Sequence, residues 1–88
     1  MNIKLEPKEL CVKYNNSDIE ALEYMLPFCN EYKKELCERL IELNKKEEDA
    51  ILSNEEEDEY EVGKWSLLEY FGLTNVNGDA YYRGAFYQ

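Results

Sequence analysis

Eight apolar residues, Ile19, Leu22, Leu26, Cys29, Tyr32, Leu36, Leu40 and Leu43, recur at steps of three and four along the middle of the chain. That spacing commits the segment to an amphipathic helix with one apolar face. Ser17 followed by Glu20 gives the start of a capping box, with a hydroxyl and a carboxylate satisfying first-turn N–H groups. Pro27 interrupts the stripe. Its ring removes a backbone donor and crowds the preceding turn, so a kink or two meeting helices is expected there. The acid-first pairs Glu35/Arg39 and Glu42/Lys46 suit a solvated outer face.

Before the stripe, Ile3/Leu5 and Leu10/Val12/Tyr14 alternate at period two on either side of Pro7. The second piece predicts an N-terminal strand. Near the other end, Gly72 stands where a helix over about 64–71 would stop, and Leu73 could fold back on Leu68. LTNV-NG-DAYY then carries the strongest short hairpin signal, a type I′ turn at Asn77-Gly78. A two-residue loop sets Val76 opposite Asp79, Asn75 opposite Ala80 and Thr74 opposite Tyr81. The expected fold is a single α+β domain over residues 1–88. Helices over about 18–52 and 64–71 would pack on a small antiparallel sheet made by the N-terminal strand and a C-terminal hairpin running to Tyr87.

Between the helices lies EEDAILSNEEEDEYE, with nine carboxylates in fifteen positions and neither lysine nor arginine. The net charge is −10, yet outside residues 47–61 eleven acids face ten bases. The acidity therefore belongs to one segment. Ser53 and Glu56 would cap a helix there, but five successive acids from Glu55 to Glu59 repel one another, and Gly63 permits a break. The expectation is a frayed turn or loop over about 53–63.

Catalysis has little to work with. Histidine is absent, and the three cysteines, Cys11, Cys29 and Cys37, form no C-x-x-C pair. Neither a phosphate-binding glycine loop nor a calcium loop with its sixth-position glycine occurs. The reading is a non-enzymatic protein with no cofactor and no metal. The odd cysteine count suits a reducing compartment, and MNIKLEPKEL lacks an apolar signal core, so a cytoplasmic location is expected. No apolar run has the length of a membrane span.

The acid run repels nucleic acid and attracts a basic groove on another protein. Its carboxylates can stand at intervals close to those of successive phosphates. The candidate contact residues are Glu47, Glu48, Asp49, Glu55, Glu56, Glu57, Asp58, Glu59 and Glu61, with Tyr60 among them. Tyr81, Arg83 and Tyr87 join them, because alternation turns those three to one face of the last strand and such residues are enriched at binding hot spots. In size, acidity and lack of catalytic groups the chain looks like the small antagonists of nucleic-acid enzymes: anti-CRISPR and other phage anti-defence proteins, DNA mimics, and nuclease-immunity proteins. That likeness of type is carried by Glu47–Glu61. The alternative is an interaction module that docks through its aromatic C-terminal hairpin. Separately, SLLEYFGLT resembles the first half of a helix-turn-helix, with Phe71 before Gly72 and Leu73-Thr74 after it. The resemblance implies a third reading, a degenerate DNA-binding regulator. An unpaired sheet edge could also recruit a second copy to form a homodimer.

Overall fold

The computed structural model describes residues 4–88. In chain order it contains α1 (Pro7–Asn16), α2 (Asp18–Met25), a 3₁₀ turn (Leu26–Phe28), α3 (Glu31–Asp49) and α4 (Asn54–Tyr70). Strands β1 (Leu73–Val76), β2 (Asp79–Tyr82) and β3 (Ala85–Phe86) follow. The helices pack in sequence, α1 on α2, α2 on α3 and α3 on α4, while β2 lies on α1 and β1 on α4. The class is α+β, with a three-stranded antiparallel sheet in the order β1-β2-β3.

The N-terminal strand is corrected to a helix, and Ile3 lies outside the described residues. Pro7 opens α1 at the first-turn position, where its missing N–H costs nothing and its fixed φ suits a helix. Leu10, Cys11 and Tyr14 are the buried residues of that helix. Leu10 and Tyr14 fit a four-residue helical step as well as a period-two one, and Cys11 completes the helical face. Ser17 does begin a helix, but its side chain makes no cap bond.

Pro27 divides the long stripe as expected. The chain turns through Leu26–Phe28, and Asn30 caps α3 by accepting the Lys33 N–H at 2.9 Å. This break resets the helical phase. Cys37, Leu40 and Leu43 face the core, while Tyr32 is 84% exposed.

Gly63 interrupts nothing. It sits inside α4, where a Cβ would come within 3.0 Å of Leu40 and 3.1 Å of Leu36. A bare backbone at that point lets α4 lie close against α3. Leu22, Met25, Leu40, Leu43, Leu67 and Leu68 are all buried around the shared core.

At the end of α4, Gly72 takes a left-handed φ of 96° and Leu73 is buried. The hairpin has the expected register, with Val76↔Asp79, Asn75↔Ala80 and Thr74↔Tyr81. Asn77 and Gly78 both have positive φ, 53° and 91°, which a type I′ turn requires. The strand does not run on to Tyr87. Arg83 and Gly84, also at positive φ (52° and 79°), reverse the chain, and β3 pairs with β2 through Tyr81↔Phe86 and Tyr82↔Ala85. The helix-turn-helix resemblance ends here as well, since β1 occupies the place of a second helix. Among the described residues no helix is long and apolar enough to cross a membrane.

Candidate functional site

The acid run is helical, not a loop, which corrects the expectation for 53–63. Ser53 accepts the Glu56 N–H through Oγ at 3.1 Å, and the Glu56 carboxylate accepts the Ser53 N–H at 3.0 Å. The first turn of α4 therefore carries Glu55, Glu56 and Glu57 at the positive end of the helix dipole. Cations reach it from α3. Lys46 bonds Glu56 at 2.6 Å, and Arg39 binds Glu59 through two nitrogens at 2.9 and 3.3 Å. Lys46 thus serves Glu56 in place of Glu42, while Arg39 serves Glu42 at 3.0 Å together with Glu59. Cross-helix pairing relieves the repulsion that argued for a frayed segment.

Glu56 is the most strongly held of these groups. The Lys46 ammonium and the Ser53 backbone N–H bring its pKa down from 4.5 to about 2. The sign follows from proton linkage. Stability from the ionised form is complete above about pH 4.5 and is lost as pH falls toward about 2. Thermal unfolding of Glu56→Gln should show a shallower acid limb than the parent, with the two curves converging at the acid end.

Glu47, Glu48 and Asp49 occupy the last turn of α3, and Glu55, Glu57 and Asp58 the outer side of α4's first turns. All six are exposed. None of the ion pairs among the described residues involves them. Glu47, Glu57 and Glu61 converge with Asp18 of α2, Leu52 and Tyr60 around a hollow of about 320 Å³. Tyr60 lines the hollow but is only 6% exposed, and its hydroxyl braces the site. Its hydroxyl donates to Asp18 at 2.9 Å and accepts from the Asn44 amide at 3.0 Å. Burial pushes its pKa upward, and Asp18 adds to that.

Lys64, 6% exposed, pairs with two of the carboxylates that line the hollow. Its ammonium is 3.0 Å from Glu61 and 3.5 Å from Asp18. The rings of Tyr14, Tyr60 and Trp65 surround it with centroids at 5.2, 5.4 and 5.8 Å. Burial favours the neutral amine, but Asp18, Glu61 and Tyr14 outweigh it and the pKa is raised. Lys64 thus serves Asp18 and Glu61, while Glu47 and Glu57 enter no ion pair among the described residues. Sequence reasoning missed Asp18, Asn44 and Lys64. Only Lys64 had a local signal, standing three residues after Glu61 on one helix face.

Tyr81, Arg83 and Tyr87 stand elsewhere, on the sheet. Tyr81 stacks on Phe86 with centroids 5.4 Å apart, and the Arg83 guanidinium lies 5.4 Å from the Tyr82 ring centre. The Tyr87 carbonyl accepts from Asn15, and Lys8 lies over its ring. Among the described residues no hydrogen bond or ion pair joins these three side chains to the acid run. The turn at Arg83-Gly84 also breaks the alternation that would have placed all three on one face. No three histidine, cysteine or carboxylate side chains among the described residues are grouped so as to hold a metal ion. Comparison with known proteins found no matching family model, no matching curated protein and no matching solved structure.

Proposed function

We propose that the protein is a non-enzymatic antagonist that presents the acidic turns of α3 and α4 to the basic, nucleic-acid-binding groove of a protein target. The targets that fit are nucleases and related enzymes, which makes an anti-defence, DNA-mimic or nuclease-immunity role the reading. One observation carries it: Glu55, Glu57 and Asp58 on the capped first turns of α4, and Glu47, Glu48 and Asp49 on the last turn of α3, are exposed and enter no ion pair among the described residues. Counting only Glu55, Glu57 and Asp58, which α3 does not pair, the run carries one charge per about 2.5 Å of helix axis, sparser than the one per about 1.7 Å of duplex DNA.

A variant carrying Glu47→Gln, Glu55→Gln, Glu57→Gln and Asp58→Asn tests the proposal, because it spares the two acids that hold α4 to α3. Tagged parent protein should capture its target at low salt and release it at high salt or with added duplex DNA. The variant should bind at least about tenfold more weakly, with a flatter salt dependence. Undiminished capture by the variant would refute the reading.

Exposure of Val76 (38%) and Phe86 (43%) beside Tyr81 favours the second reading, docking through the sheet. Under it the amide variant binds normally, while Tyr81→Ala or Tyr87→Ala does not.

A further inference from the structure

The tip of the C-terminal hairpin brings together a reactive pair and its restraint. Of the eight asparagines in the chain, only Asn77 is followed by glycine. Gly78 has no side chain to shield its backbone nitrogen, and a Cβ built there would meet nothing within 4 Å. Both residues are exposed. Such a nitrogen can attack the neighbouring carboxamide. A bond forms between Gly78 N and Asn77 Cγ, the Cγ–Nδ2 bond breaks, and the amide proton leaves with Nδ2 as ammonia. Water then opens the cyclic imide at one carbonyl or the other, giving aspartate or isoaspartate and returning a proton to Gly78 N.

The fold restrains that nitrogen. A β-turn closes with a bond from its fourth N–H to its first carbonyl, so the N–H of its third residue has no backbone partner within the turn. The third residue here is Gly78, and its N–H donates to Oδ1 of Asn75 at 2.9 Å. The Gly78 carbonyl is held too, accepting from the Tyr14 hydroxyl of α1 at 3.1 Å. Closing the imide ring swings the Asn77-Gly78 peptide out of the turn and breaks both bonds.

We propose that Asn77 is the site of spontaneous hydrolytic deamidation in this chain, and that the Asn75 carboxamide is the guard that slows it in the folded state. Asn75 acts on the first event of the reaction, because a hydrogen-bonded N–H must leave its acceptor before it can lose its proton and attack. The isoaspartyl product routes the main chain through the former side chain. It adds a methylene to a loop whose two-residue length sets the register Asn75↔Ala80. Gly78 and Ala80 are thereby drawn off Tyr14 and Asn15, and the sheet loosens from α1.

Timed incubation of the whole chain at neutral and mildly alkaline pH, followed by intact mass and peptide mapping, tests this. The expected result is ammonia exchanged for water at Asn77, faster at the higher pH. Asn75→Ala, shown by circular dichroism to stay folded, should react about fivefold faster than the parent, the change that one neutral hydrogen bond supports. Asn75→Asp keeps an acceptor for the Gly78 N–H and should react no faster than the parent. In denaturant the parent and Asn75→Ala should react at one rate, above that of the folded parent, because the guard does not survive unfolding. The isolated isoaspartyl form should melt below the parent. Deamidation first at another asparagine overturns the proposal, as does a folded Asn75→Ala that reacts no faster than the parent. So does a rate advantage for Asn75→Ala that persists undiminished in denaturant. An isoaspartyl form as stable as the parent would refute the loosening of the sheet.

Discussion

Asn15→Ala is expected to lower stability by about 3 kcal/mol. Asn15 ties the C-terminal sheet to α1 across more than sixty residues of chain, through three hydrogen bonds from one amide. Alanine leaves the buried Ala80 N–H without an acceptor and the Tyr87 carbonyl without its donor. The Ala80 carbonyl keeps the Cys11 thiol at 3.0 Å. The orphaned N–H of fully buried Ala80 costs about 1–3 kcal/mol and the part-buried Tyr87 carbonyl adds less, and in a domain of this size the sum should lower Tm by on the order of 15 °C. Asn15→Asp keeps the acceptor but aims a carboxylate at two carbonyls, so at neutral pH it should do at least as much harm. Chemical denaturation of the two variants beside the parent measures both effects. A loss below about 0.5 kcal/mol for Asn15→Ala would mean that the amide is not what holds the sheet.

Lys64→Ala is expected to cost about 2–4 kcal/mol. It empties a space walled by Tyr14, Tyr60 and Trp65 and leaves Asp18 and Glu61 without their shared cation. Lys64→Met keeps most of the volume while dropping the charge, so its cost should be clearly smaller. Equal losses for the two variants would show that charge, not packing, sets the position's worth. Because the lysine pKa is raised, its contribution is complete below about pH 10.5 and is lost only as pH climbs past that value. The neutral range should therefore be flat for this group. Lys64→Met also makes the hollow more negative, so capture of a basic target should tighten even as the fold weakens.

The hairpin was legible because Asn77-Gly78 can satisfy two successive positive φ angles that few dipeptides tolerate. Pro27 marked the division of the helical stripe for an equally local reason. The N-terminal helix was not legible, since Leu10, Val12 and Tyr14 fit both periods and Pro7 serves equally as a separator or as a first helical residue. The return strand was announced only by Gly84, preceded by an arginine that rarely takes positive φ.

The site was half legible. Exposure of the acids follows from their chemistry, but the order of α4 depends on Arg39 and Lys46, which reach it from another helix. Asp18 enters the hollow only because α2 packs across α3. Such meetings leave no mark on a single stretch of sequence.

One consequence concerns the heat of binding. Ser53, Glu56 and the two α3 cations fix the backbone of α4's first turns in the unbound protein. An acidic tail that condensed onto its target would add the ordering of its own peptide bonds to the calorimetric signal, with a heat-capacity change larger than its contact area explains. Here the anions arrive already in formation. Titration calorimetry against a basic target should give a heat-capacity change no larger than the contact area predicts, and the entropy of folding should be missing from the account.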